Sequence, residues 1–140
     1  MIVRFLVGYD EEGQIEEVWT YELEGSPITG VSFKAVKDEF NNIKKYVSTN
    51  FPGHEKITLH IVKNRSKIIT EMWTRDFKEE GKVVLHFTRD IRNDLVEIEI
   101  NELFNRKNII LHVGRNPFER INEFWSADLP GLKESKKKRK

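Results

Sequence analysis

The stretches ITLHIVKN (Ile57 to Asn64), VVLHFTRD (Val83 to Asp90) and IILHVGRN (Ile109 to Asn116) are three copies of one phrase, apolar-x-Leu-His-apolar-x-basic-Asn/Asp. Their histidines, His60, His86 and His112, stand 26 residues apart each time. A short fixed period marks a repeated structural unit. Apolar residues that alternate and then meet a turn-forming Asn or Asp describe a β-strand running into a turn.

Alternation gives each copy two faces, because successive side chains of a strand point to opposite sides. One face carries Leu59, Leu85 and Leu111 among other apolar residues, and is expected to be buried. The other carries His60, His86 and His112 and is expected to look away from the core. The segments that follow the first two copies, KIITEMWTRDF from Lys67 and LVEIEI from Leu95, read as returning strands of hairpins. Tight loops at Arg65-Ser66 and Ile91 to Asp94 predict His60 opposite Glu71 and His86 opposite Glu99. This register keeps Glu71, Glu97 and Glu99 off the apolar face, where a slip of one residue would bury them.

Outward from this repeat, Ile2 to Tyr9 and Ile15 to Leu23 read as a further hairpin around the turn DEEGQ. Ser32 then reads as the cap of a long helix, about residues 32–49, because Phe33, Val36, Phe40, Ile43 and Val47 recur at intervals of three and four. After the third copy, Asn116-Pro117-Phe118-Glu119 offers a cap, a proline at the first helical position and an early acid. It predicts a short C-terminal helix, about residues 117–126. The expected fold is α+β: a mostly antiparallel sheet of about seven strands built from repeated hairpins, with both helices on its apolar face. At 140 residues the chain is read as a single domain over residues 1–132, followed by a basic tail over 133–140.

Composition narrows the function classes. There is no cysteine, hence no disulfide or thiolate metal site, and no apolar run long enough for a membrane helix. These features predict a cytoplasmic protein without membrane attachment, and the Lys/Glu-rich, 34% charged composition suits a thermophilic source. The net charge of +1 conceals a basic tail, with six basic groups and one acid in its eight residues, beside a net acidic body. No dinucleotide, phosphate-loop, serine-hydrolase or zinc-protease motif occurs, and no cofactor is expected.

Three sets of residues are candidates for function. His60, His86 and His112, with Glu71 and Glu99, are the set from which a metal site or a His/Glu-dependent enzyme would be built. Strands of one sheet lie about 4.8 Å apart, however, so imidazoles on alternate strands do not converge on one ion. Trp73, Arg75 and Phe77 alternate on one strand and, with the tail residues Lys136, Lys137, Lys138, Arg139 and Lys140, suit a single-stranded nucleic acid through stacking and phosphate neutralisation. Glu16, Glu17 and Glu22 on the acidic first hairpin, together with Trp73, Arg75 and Phe77, have the composition of a protein interface. The reading adopted from sequence is a small non-catalytic regulatory protein that engages a protein partner, within a nucleic-acid-handling assembly that the tail also touches. A nucleic-acid binder is the first alternative and the enzyme the second.

Overall fold

A computed structural model describes residues 3–20 and 30–128, and these form an all-β barrel. Its strands are β1 (Val3–Tyr9), β2 (Ile15–Thr20), β3 (Ser32–Lys37), β4 (Ile43–Ser48) and β5 (Ile57–Lys63) in the first half. The second half supplies β6 (Ile69–Thr74), β7 (Val83–Arg89), β8 (Leu95–Leu103), β9 (Arg106–Arg115) and β10 (Ile121–Ser126). Each strand pairs antiparallel with the next, and β10 pairs with β1 to close the sheet. The expected α+β layering is therefore wrong. No helix occurs among the described residues, there are ten strands rather than about seven, and the apolar face is covered by the sheet curling onto itself.

The 26-residue unit occurs five times, each time as a hairpin. Its turns begin at Asp10, Asp38, Asn64, Asp90 and Asn116, spaced by 28 and then three times by 26. In every turn the Asp or Asn side chain accepts the backbone N–H two and four residues on, as Asp90 does from Arg92 and Asp94. The residue three positions on is left-handed in all five: Gly13, Asn41, Lys67, Asn93 and Glu119. Pairing shifts by one residue beside each turn, so all five hairpins carry the same bulge. The two extra residues of the first unit fall between Thr20 and Val31, 11 positions apart where Ser48 and Ile57 are 9 apart.

Both helix expectations fail for one reason. An Asp or Asn that catches nearby N–H groups caps a helix or closes a hairpin turn with the same chemistry. Asn116 accepts from Phe118 and Arg120 and turns the chain into β10, instead of starting a helix over 117–126. Asp38 does the same at the centre of the segment 32–49, and Phe40, counted in the helical stripe, is 76% exposed at the turn tip. The inward residues are Phe33 and Ala35, two apart on β3, and Ile43 and Tyr46 on β4, set three apart by the bulge opposite Val36 and Lys37. The expected register holds for His86, opposite Glu99, but β5 meets β6 with His60 opposite Trp73 and Val62 opposite Glu71. The bulge at Lys63 accounts for one residue of the two-residue difference, and the turn, which pairs Asn64 with Ile68 and so is one residue longer than Arg65-Ser66, accounts for the other.

At the end opposite the turns, five β-branched residues in equivalent positions, Val3, Val31, Ile57, Val83 and Ile109, are 0–1% exposed and form the tightest layer of the core. Side chains latch this end as well: Asn50, Asp76, Asn101 and Asp128 accept the N–H of Ser32, Thr58, Val84 and Ile110.

The turns give a stability test with opposite signs. Lys67 and Glu119 occupy left-handed backbone that costs a side-chain-bearing residue about 1–2 kcal/mol, partly offset by the flexibility glycine adds to the unfolded chain. Lys67→Gly and Glu119→Gly should each stabilise by about 0.5–1 kcal/mol in urea unfolding. Asp90→Ala, which removes two turn hydrogen bonds, should destabilise by about 1–2 kcal/mol.

Candidate ligand-binding cavity

Closure leaves a cavity of ≈ 410 Å³ within the barrel. Each strand sends one residue to its central girdle. The odd strands give Phe5, Phe33, Leu59, Leu85 and Leu111, and the even strands give Val18, Tyr46, Met72, Ile98 and Phe124. The leucines of the repeated phrase do point inward, as their alternation predicts. Leu59 and Leu85 are nonetheless only half-buried, because they face open space rather than other side chains.

The two ends of the cavity differ. Away from the turns it is filled by Phe51, Phe77 and Phe104, whose rings meet at centroid distances of 5.0, 5.6 and 6.4 Å. At the turn end the wall contains Arg89, Asn93, Asp94 and Arg115, and Asn93, Asp94 and Arg115 are exposed. The cavity therefore reaches solvent at this end. Equivalent residues clasp neighbouring hairpins around the mouth: Arg89 donates to the Ile69 carbonyl, Arg115 to that of Leu95, and Tyr9 to that of Ile121. Burial lowers the pKa of Arg89, and the Asp94 carboxylate opposes the shift. Tyr46, deeper in the wall, donates to the Ile15 carbonyl, and burial pushes its hydroxyl up to about 12. Among the described residues no buried side-chain polar atom lacks a partner, so the interior offers a guest apolar contact and little else.

The residues singled out in the sequence lie elsewhere. His60, His86 and His112 stand on β5, β7 and β9, on the outer face, and each meets a different neighbour. His60 stacks on Trp73 and His112 on Trp125, both at 4.3 Å, and His86 lies 3.7 Å from Glu71. No group of three or more metal-ligating side chains converges among the described residues. Trp73 and Phe77 do not share a platform. Trp73 is outside, between His60 and the ammonium of Lys82, whereas Phe77 is part of the aromatic plug. Arg75 is exposed beyond the end of β6. Glu17 sits opposite Lys34, and Glu16 is exposed, 3.9 Å from Lys37. Glu22 and the tail residues Lys136 to Lys140 lie outside the described residues.

The girdle and the mouth were missed because cavity-lining and core residues have the same composition. The signal that could have revealed them is the fivefold Asx turn, which implies ten strands. No protein-family model matches this chain, and no curated protein matches it.

Two predictions follow the geometry. Ile57→Ala, in the tight layer, should cost about 2–5 kcal/mol, whereas Leu59→Ala, beside existing space, should cost no more than about 2 kcal/mol. The second concerns Asp10, whose carboxylate takes a 2.7 Å hydrogen bond from Lys37. That bond, then those from the turn N–H groups, pulls its pKa from 3.8 down to about 2, and Asp10 in turn raises Lys37. The stability given by the lowered carboxylate is full above pH 3.8 and is lost as pH falls through about 2. The raised lysine acts in the other direction, its contribution full below pH 10.5 and lost as pH rises above it. The difference in thermal midpoint between wild type and Lys37→Met should be level between these limits and shrink beyond either.

Proposed function

We propose that the protein is a carrier or sensor for one small apolar molecule, held inside the barrel. The observation that carries this reading is the ≈ 410 Å³ interior, apolar in its girdle, filled at one end and open at the other. Its volume lies in the range of small-molecule pockets, roughly 300–1,000 Å³. Barrel width supports the reading too. About eight strands leave an interior that side chains fill or that holds one small ligand, and about sixteen open an aqueous channel. Ten antiparallel strands fall just above the smaller class.

The outer surface supports work in water. Glu17, Lys34, Lys45, Glu71, Glu97 and Glu99 alternate outward from the girdle residues, whereas a bilayer-spanning barrel turns an apolar band outward and a polar lumen inward. A catalytic role for the histidines has little support, since they face away from the cavity. Partner binding through surface charge draws on the acidic first hairpin, but the enclosed interior is the more specific feature.

The test is uptake of the neutral, environment-sensitive fluorophore N-phenylnaphthylamine by the full chain. Saturable fluorescence enhancement at one site per protein is expected. Leu59→Trp and Leu85→Trp, which put an indole into the girdle, should abolish it while circular dichroism stays that of a β-protein. Undiminished binding in folded tryptophan variants would place the site outside the barrel and refute the reading.

A further inference from the structure

Resting on that reading, we infer that the guest is an amphiphile with an anionic end, its hydrocarbon part in the girdle and a carboxylate or similar singly charged oxyanion at the mouth, between Arg89 and Arg115. These arginines occupy the same position in successive hairpins. They stand on β7 and β9, either side of β8, with backbones roughly 10 Å apart, two strand spacings. Both line the cavity where its wall meets solvent.

Their bonding leaves their charge available. Arg89 gives Nε and Nη2 to the Ile69 carbonyl and Nη1 to that of Asn93. Arg115 gives Nη1 to the Glu119 carbonyl and Nη2 to that of Leu95. Carbonyls fix the guanidinium planes without cancelling them, and a guanidinium has more N–H donors than these bonds consume. Among the described residues neither arginine forms an ion pair, whereas Lys37, at the equivalent place in the second hairpin, is held by Asp10, and Arg4 on the outside is held by Glu123. Asp94 is the one carboxylate among the described residues that line the cavity, so in the wall itself the two guanidinium groups outnumber it. Deeper in, the Tyr46 hydroxyl is already donated to Ile15, and nothing in the girdle would hold a charge. A head group is therefore accommodated at the mouth and not at the base, which the aromatic plug fills.

The experiment displaces bound N-phenylnaphthylamine with dodecanoate, dodecanol and dodecylammonium, which share a chain and differ in end charge. Dodecanoate should displace at about tenfold lower concentration than dodecanol, with dodecylammonium the weakest, as a charge-assisted guanidinium contact implies. The double variant Arg89→Gln/Arg115→Gln keeps an amide donor for the clasped carbonyls, and should bring dodecanoate to the level of dodecanol. Equal displacement by dodecanoate and dodecanol in wild type would overturn the anionic end while leaving the cavity reading standing. A preference that survives the double variant would overturn the assignment to these arginines. Failure of the neutral fluorophore to bind at all would instead overturn the cavity reading itself. If the double variant does not fold, the wild-type ranking still decides.

Discussion

The pairing of β1 with β10, Val3 opposite Ser126 and Phe5 opposite Phe124, is the contact on which the molecule depends. Every other pairing joins consecutive strands and forms locally, whereas this one joins opposite ends of the described chain. Without it both strands would present rows of unpaired N–H and C=O groups, the template for aggregation that sheet edges offer. With it each strand has two neighbours, and the apolar face becomes an interior. Closing so long a loop costs little more entropy than closing a shorter one, because the penalty grows only logarithmically with length. The closure is sustained by chemistry at both levels of the seam. The Arg4 guanidinium takes both oxygens of Glu123 at 3.0 and 3.1 Å on the outside, and the Tyr9 hydroxyl reaches the Ile121 carbonyl at 2.6 Å near the mouth.

Given closure, the fivefold hairpin explains the layering. One position per unit builds the tight β-branched layer, two build the girdle and one builds the clasp at the mouth. Because the bulge falls at the same place in all five hairpins, the layers stay level around the barrel, and a one-residue slip in any strand would turn its girdle residue to solvent. The space inside arises from this regularity. Ten residues at one height, several of them only medium-sized such as Val18 and Leu111, meet across a barrel wider than eight strands would make, and their side chains do not fill the centre.

What was legible in the sequence was periodic and local. The alternation in Ile57 to Lys63, Val83 to Arg89 and Ile109 to Arg115 places leucines inside and histidines outside, and the expected first hairpin is present from Val3 to Thr20, its outer ends Ile2 and Tyr21 to Leu23 lying outside the described residues. The fourth and fifth copies of the unit stayed hidden because Leu6 and Lys34 stand where the phrase has histidine, and because the first interval is 28 residues. The two mistaken helices share a deeper cause. Asp38 and Asn116 make bonds that are locally the same at a helix start and at a turn. Only the requirement that five equal hairpins close a sheet decides between them, and that requirement is tertiary. The surface residues selected for their charge or aromaticity did not assemble, since Phe77, three residues past the end of β6, turns into the barrel to pack on Phe51.

Departures from the repeat give the cavity a direction. A strictly fivefold interior would hold a guest with no preferred orientation or chemistry. At the clasp position, however, the units carry Tyr9, Lys37, Lys63, Arg89 and Arg115, and only the last two line the cavity while bonded to carbonyls alone. At the opposite end Phe51, Phe77 and Phe104 come from three consecutive connections and crowd the same side of the barrel. The wall around β7 to β9 thus runs from an aromatic base to a cationic rim. Both features arise where copies of one hairpin diverged, so the shape of the interior belongs to the repeat and its polarity to the exceptions.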